Sequence, residues 1–176
     1  MRRQVLLLLF LFVSIIGNAQ IRRNVDGVVL GVSTKQDVIR HLRSRNMPYE
    51  LIEDGSVIRS FKDNNFAGVS WFIIFYRFYN NKVYRITYTK HANGYDVPNS
   101  LIDTEFSLLQ RNLLSKYQRY NTRNAPPLYQ YTTSFNDGKT GLQVGKGYYE
   151  GTYLLSLIYV DIYLEGKSAQ HGYDDL

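Results

Sequence analysis

Residues 69–90 read VSWFIIFYRFYNNKVYRITYTK, and this stretch decides the fold of the chain. Aromatic and β-branched residues dominate it, and both types favour strands. The pair Asn80–Asn81 in its middle is typical of a tight turn between two strands. The stretch therefore predicts an antiparallel hairpin with strands Ser70–Tyr79 and Lys82–Lys90.

The two strands of this hairpin differ in how their side chains alternate. In the return strand Tyr84, Ile86 and Tyr88 alternate with polar residues, which places one face inward and the other outward. The outgoing strand is apolar on both faces, so we expect a central strand that is covered on both sides. The alternative is that one aromatic face of the strand forms a binding surface.

Apolar residues at helical spacing predict two helices. The first runs from Thr34 to Arg45 and begins with a capping box, in which Ser33 precedes Gln36 by three residues. Ser100 caps the second helix, and Pro126–Pro127 ends that segment. The apolar positions are Val38, Ile39 and Leu42 in the first helix and Ile102, Phe106, Leu109 and Leu113 in the second.

Further predicted strands complete the pattern, with turn residues between them. These strands span Tyr49–Ile52, Val57–Phe61, Leu128–Phe135, Thr140–Tyr149 and Tyr153–Glu165. The order is helix then strands, twice over. It predicts an α+β fold with two helices packed on one face of an antiparallel sheet. The repetition is also consistent with a tandem helix-then-strands duplication.

The N-terminal sequence MRRQVLLLLFLFVSIIGNAQ has the layout of a secretory signal peptide, with two arginines, an apolar run, and Gly17 and Ala19 before the expected cut. The apolar run is too short for a membrane-spanning helix. We therefore expect a signal peptide at 1–19, a single domain at 20–165 and a flexible tail at 166–176. The mature protein is expected to be exported, periplasmic or secreted, and soluble, with no transmembrane span.

The composition excludes several classes of protein. The chain contains no cysteine, which excludes disulfides, thiolate zinc sites, iron–sulfur clusters and a lipid anchor on an N-terminal cysteine. The formal charge is +6, and removal of Arg2 and Arg3 with the signal peptide leaves +4. This modest charge favours anionic envelope surfaces but falls short of a nucleic-acid-binding signature.

No catalytic constellation is recognisable in the sequence. The three histidines, His41, His91 and His171, lack the paired spacing of metal ligands. No serine has the flanking glycines of a nucleophile elbow. We therefore expect no enzymatic activity, no metal and no cofactor.

Binding is the better-supported class, because the chain has 16 tyrosines and 9 phenylalanines. Tyrosine suits both a pleated sheet surface and a binding surface. A carboxylate between tyrosines in the last predicted strand could hydrogen-bond sugar hydroxyls. The candidate partner-binding residues are Trp71, Arg77, Arg85, Tyr153, Tyr159, Asp161 and Tyr163.

A second group of cations interleaves with tyrosines around the second helix, as in Lys116 and Tyr117. Such an arrangement can hold anionic ligands. Cations near the end of a helix also complement the helix dipole, which is the simpler interpretation.

The segment DGVVLGVSTKQDVIRHL, residues 26–42, has a glycine-containing lead-in and a Ser/Thr-capped helix before an antiparallel hairpin. It resembles the BamE/SmpA outer-membrane assembly family and the β-lactamase-inhibitor-like domains. The resemblance implies helices on one face of an antiparallel sheet and a non-enzymatic, protein-binding role at the cell envelope. The BamE type is anchored through a cysteine that this chain lacks, so membrane anchoring is not implied.

Together these observations predict an exported, non-catalytic binding module of the bacterial cell envelope. We expect an aromatic sheet face or sheet edge to contact another envelope or extracellular protein. The alternative is a protein that binds glycans or anionic lipids. Nucleic acid is not an expected partner.

Overall fold

The structure is a computed structural model that describes residues 20–94, 96–122 and 129–174. Within these residues it has an eight-stranded sheet, a short separate hairpin and three helices. The hairpin consists of β1 (Asn24–Val25) and β2 (Val28–Val29). The sheet consists of β3 (Tyr49–Ile52), β4 (Val57–Phe66), β5 (Val69–Tyr79), β6 (Lys82–His91), β7 (Asn121–Thr122), β8 (Tyr131–Asn136), β9 (Thr140–Tyr149) and β10 (Thr152–Asp161). The helices are α1 (Lys35–Ser44), α2 (Asn99–Tyr117) and α3 (Ile162–Asp174).

The strand order in the sheet is β3-β4-β5-β6-β10-β9-β8-β7, and each neighbouring pair is antiparallel. The prediction of an α+β fold with an antiparallel sheet is therefore confirmed. Each half of the chain supplies one helix followed by four sequential strands. The last strands of the two halves, β6 and β10, pair at the centre of the sheet. The tandem duplication stays a prediction.

The β5–β6 hairpin forms at the predicted position. Asn80 and Asn81 both adopt positive φ, 45° and 59°, as a tight hairpin turn requires. A register shift next to Arg77 pairs Phe78 with Val83 and leaves one extra residue in β6. The bulge reverses the alternation there, so Val83 is fully buried while Tyr84 is only partly buried. The predicted inward face is therefore wrong at Tyr84.

Two rows of paired residues define the inner face of the sheet, which carries the core. One row crosses the sheet through Ile74, Tyr88, Leu157 and Val144, and the other through Tyr76, Ile86, Tyr159, Leu142 and Phe135. All of these residues belong to one buried cluster. The opposite face, here called the outer face, carries Phe61, Ile73, Phe75, Arg77, Arg85, Thr87, Ile158 and Val160.

The buried residues of α1 and α2 belong to the same apolar cluster as the inner face. They are the predicted ones: Val38, Ile39 and Leu42 in α1, and Ile102, Phe106, Leu109 and Leu113, with Tyr117 added, in α2. The cap of α1 is Thr34 rather than Ser33. Its hydroxyl accepts from the Asp37 amide while the Asp37 carboxylate accepts from the Thr34 amide. Helix α2 begins at Asn99, so Ser100 lies inside it.

Helix α3 corrects the predicted end of the last strand. The sequence predicts a strand through Glu165 and a flexible tail from residue 166, whereas the chain becomes helical at Ile162. The cause is Asp161, whose carboxylate accepts a hydrogen bond from the Leu164 amide at 2.9 Å. This is the bond of a helix N-cap, which ends the strand and starts the helix. Glu165 then forms an ion pair with Arg85 on the outer face.

The predicted signal peptide, residues 1–19, lies outside the described residues. So do Pro126–Pro127, the predicted end of the second helical segment. Among the residues that the structure describes, no helix combines the length and apolarity needed to cross a bilayer.

Candidate binding site

A cleft of about 1040 Å³ opens beside the inner face of the sheet. Three segments form its walls: the N-terminal residues 22–27, residues 66–68 at the end of β4 and in the β4–β5 turn, and one side of α2. Tyr159 of β10 also lines it. Small-molecule sites typically measure about 300–1,000 Å³, so this cleft has room for a ligand much larger than an inorganic ion.

The α2 wall is a single stripe along the helix. Leu109, Asn112, Leu113, Lys116 and Tyr117 line the cleft, and their spacing places them on one face. The rise of 1.5 Å per residue separates the ends of the stripe, Leu109 and Tyr117, by roughly 12 Å. Leu109, Leu113 and Tyr117 of the stripe are buried, whereas Asn112 and Lys116 are exposed and supply its polar groups.

The N-terminal wall of the cleft is held against the end of β10 and the β8–β9 turn. Arg23 donates to the Leu30 carbonyl at 2.8 Å and forms an ion pair with Asp161. The Ile21 amide donates to the Asp137 carboxylate at 2.9 Å. Gly31 lies against the ion pair, since a Cβ there would come within 2.5 Å of the Asp161 carboxylate. These contacts fix the position of the neighbouring Arg22.

The cleft has an excess of positive charge. Arg22 and Lys116 are exposed, and neither has a carboxylate partner among the described residues. Asp26 is the sole carboxylate in the described lining. It pairs with Arg45 and accepts a hydrogen bond from Asn64 at 3.0 Å. Two cations are therefore left to attract an anion.

Aromatic side chains converge beside these cations. Phe66 contacts Tyr159 edge-on at 6.2 Å between ring centroids, and the Lys116 ammonium lies 5.1 Å from the Tyr117 ring centroid. Burial raises the pKa of Tyr159, with the neighbouring Tyr117 adding to the increase and Arg22 opposing it. The Tyr159 hydroxyl therefore stays protonated at neutral pH and can donate a hydrogen bond.

The described lining does not assemble a general acid and base. It contains no histidine, and its one carboxylate is already paired. Nor do the described parts of the chain bring three His, Cys, Asp or Glu side chains together in a group that could hold a metal. The arrangement is suited to binding through charge, hydrogen bonding and aromatic contact.

Comparison with models of known protein families, with curated proteins and with solved structures found no significant match to this chain. The resemblance to BamE/SmpA-like and β-lactamase-inhibitor-like domains therefore stays a prediction. A functional proposal therefore depends on the geometry and chemistry of the cleft.

Four of the predicted contact residues lie on the core side of the fold. Trp71 is fully buried, so its ring is a core element and not a surface contact. Tyr159 is 6% exposed and lines the cleft. Asp161 is buried against Arg23. Tyr153 is partly buried, and its hydroxyl donates to the Asp103 carboxylate at 2.8 Å.

The other three predicted residues lie elsewhere. Arg77 and Arg85 are cross-strand neighbours on the outer face. Their guanidinium groups pair with Glu53 and Glu165, respectively. Tyr163 projects from α3 and is 70% exposed. The seven residues therefore do not form one surface, because β10 directs its tyrosines inward while the arginines point to the opposite face.

Most of the residues that line the cleft were not among the predicted contact residues. Arg22 gives no local signal, because its position depends on the contact of Arg23 with Asp161, which is 138 residues away in the chain. Phe66 is the last residue of β4, beyond the predicted end of that strand at Phe61. Lys116 and Tyr117 did carry a signal, and their spacing from Leu109 and Leu113 would have identified the stripe.

The hydrogen bonds to the Asp103 carboxylate make the stability of the fold depend on pH. Hydrogen bonds from Lys146 and Tyr153 hold the pKa of the Asp103 carboxyl below its usual value of 3.8. A carboxylate with a depressed folded pKa stabilises the fold above its unfolded pKa, and this stability is lost as the pH falls through the folded pKa. We expect Asp103→Asn to flatten the acid limb of stability between about pH 5 and pH 2.

Urea unfolding across this pH range tests the Asp103 prediction. Glu150→Gln, which removes an exposed carboxylate from the β9–β10 turn, is the matched control and should keep the acid dependence of the wild type. An Asp103→Asn variant with an unchanged acid limb would contradict the assignment.

Proposed function

We propose that this protein is an exported, non-catalytic binding module of the cell envelope that takes an anionic ligand in the cleft between the N-terminal segment and α2. The observation that carries the proposal is the pair of exposed cations, Arg22 and Lys116, beside an aromatic lining that includes Tyr159. Cations without carboxylate partners attract an anion, and the protonated phenol supplies a hydrogen-bond donor.

The arrangement of the helices supports a cleft of defined shape. We infer that α1 and α2 both pack on the inner face, since their buried residues share one cluster with it. In this arrangement the Leu109–Tyr117 stripe of α2 lies at the edge of the core and forms one wall of the cleft. The anchored N-terminal segment forms the facing wall. A preformed site loses less conformational entropy on binding than a mobile one.

Fluorescence titration with anilinonaphthalene sulfonate tests the proposal, because this probe combines an aromatic body with one negative charge. We expect the native protein to bind it and the Arg22→Glu/Lys116→Glu variant to bind at least about tenfold more weakly, since two attractive charges become repulsive. Binding should also weaken as the ionic strength rises.

The matched control is Arg111→Glu/Lys139→Glu, which changes the net charge equally at exposed positions outside the cleft lining. It should bind the probe within about twofold of wild type. The proposal fails if the native protein does not bind the probe, or if the control variant loses as much affinity as the cleft variant.

Protein binding on the outer face is the second candidate function. Phe61 is 37% exposed, and Ile73 and Phe75 beside it are only partly buried. Register pairing places all three on the face opposite the core, near Thr87. A patch of partly exposed apolar side chains on a sheet face is a common feature of protein interfaces.

Affinity capture from envelope extract with two variants distinguishes a partner that binds the outer face from proteins that adhere non-specifically. Phe61→Asp should lose a captured partner, while Leu108→Asp should keep it. Leu108 is the control because it is similarly exposed, at 39%, but belongs to α2. Equal capture by both variants would exclude the outer face as the contact.

A further inference from the structure

Tyrosine side chains from three adjacent strands gather on the sheet outside the cleft. Tyr131 of β8 is 51% exposed and Tyr148 of β9 is 63% exposed, while Tyr153 of β10 is partly buried. Register pairing places Tyr131 opposite Lys146 and Tyr148 opposite Tyr153. Lys146 and Tyr148 follow the inner-face residue Val144 at intervals of two, so all of these side chains lie on the inner face.

An ion pair lies among the tyrosine rings. The Lys146 ammonium donates to the half-exposed Asp103 carboxylate of α2 and lies 5.0 Å from the centroid of the Tyr131 ring. The Tyr153 hydroxyl donates to the same carboxylate at 2.8 Å, and the Tyr153 and Tyr148 ring centroids are 4.9 Å apart. We call these five residues the tyrosine patch, and none of them lines the cleft.

The ion pair of the tyrosine patch has hydrogen-bonding capacity left over. Lys146 and Tyr153 both donate to Oδ1 of Asp103, and Oδ2 has no hydrogen-bond partner among the residues that the structure describes. These two hydrogen bonds lower the pKa of the Asp103 carboxyl, so it is ionised at neutral pH. The Lys146 ammonium carries three N–H donors. The pair can therefore both accept hydrogen bonds from a ligand and donate to it.

This combination of groups suits a sugar better than a protein. A pyranose ring has C–H groups on its faces, which pack on tyrosine rings, and hydroxyl groups around its rim, which both donate and accept hydrogen bonds. A protein that covered the patch with apolar side chains would remove water from the ion pair without replacing its hydrogen bonds, at a cost in desolvation. Sugar hydroxyl groups replace that water.

We propose that the tyrosine patch binds a neutral, β-linked chain of pyranose sugars, whose ring faces contact Tyr131 and Tyr148 and whose hydroxyl groups bond to Asp103 and Lys146. Tyr131 and Tyr148 are diagonal neighbours on adjacent strands, a relation that separates residues by about 7–8 Å. An extended sugar chain can contact both rings. The proposal does not depend on anion binding in the cleft, because the two sites share no residue.

Isothermal titration with cellohexaose and chitohexaose, two neutral β-1,4-linked oligosaccharides, tests the proposal. We expect at least one of them to bind, and Tyr148→Ala to weaken its binding about tenfold or more. Tyr148→Trp should retain binding, because it keeps an aromatic face. The matched control is Tyr149→Ala, since Tyr149 is 58% exposed and adjacent in β9 but directed to the opposite face. It should change the affinity less than about twofold.

Two further measurements separate the tyrosine patch from the cleft. Asp103→Asn, which keeps the shape of the side chain, should weaken sugar binding about fivefold by removing a charge-assisted hydrogen bond. The Arg22→Glu/Lys116→Glu variant and a rise in ionic strength should each change the affinity less than about twofold, because the ligand is neutral.

Three results would each overturn the inference while leaving the cleft proposal standing. The first is that neither oligosaccharide binds the native protein at millimolar concentration. The second is that Tyr149→Ala loses as much affinity as Tyr148→Ala. The third is that sugar binding is lost in the Arg22→Glu/Lys116→Glu variant and kept in Tyr148→Ala, which would place the sugar in the cleft.

Discussion

Trp71→Ala is expected to lower the free energy of unfolding by about 3–5 kcal/mol, a large part of the roughly 5–15 kcal/mol available to a domain. The indole is fully buried in the core. Its ring lies 5.7 Å from that of Tyr88, and its N–H donates to the Phe66 carbonyl at 2.9 Å. The substitution therefore creates a cavity and removes a buried hydrogen bond.

Urea unfolding of Trp71→Ala beside Tyr163→Ala checks this expectation. Tyr163 was predicted as a partner contact together with Trp71, but its side chain is 70% exposed. Its truncation should change the unfolding free energy by no more than about 0.5 kcal/mol. If the two variants are equally stable, Trp71 does not have the core role assigned to it.

Glu105→Ala is expected to cost about 3–5 kcal/mol, because it leaves the Lys90 ammonium buried without its counter-charge. The Lys90 side chain is only 5% exposed and that of Glu105 only 14%. Their ammonium nitrogen and carboxylate oxygen are 2.7 Å apart, linking β6 to α2. Water can reach neither group well enough to replace the lost partner.

A double substitution separates the cost of an orphaned charge from the value of the pair. Lys90→Met/Glu105→Leu should recover to within about 1 kcal/mol of wild type or exceed it, since apolar residues of similar size remove both desolvation penalties. Arg77→Ala breaks a half-exposed pair with Glu53 and should cost at most about 1 kcal/mol. A double variant as unstable as Glu105→Ala would contradict this account.

Local sequence patterns correctly predicted the elements whose structure depends on interactions between residues close in the chain. The Asn80–Asn81 turn, the apolar stripe of α1 and the leucines of α2 follow from nearest neighbours and helical spacing. The bulge that turns Val83 inward has no such signal, because it depends on how β6 pairs with β5.

The end of β10 was predicted wrongly because it depends on contacts between residues far apart in the chain. Alternation through Tyr159 and Tyr163 reads as one continuous strand. Asp161 interrupts it because the same carboxylate caps α3 and pairs with Arg23. The Arg23 contact joins opposite ends of the chain, and it sets the position of the cleft wall. A pattern confined to neighbouring residues does not contain that information, so the candidate site emerged only from the folded arrangement.

The central claim is that the cleft between residues 22–27, 66–68 and the Leu109–Tyr117 stripe is the ligand site. Backbone amide NMR during a titration with anilinonaphthalene sulfonate tests it most directly. The account predicts that the largest shift changes fall on those three segments and disappear in the Arg22→Glu/Lys116→Glu variant. Shift changes centred on the outer face around Phe61 and Phe75, or unaffected by that variant, would contradict it.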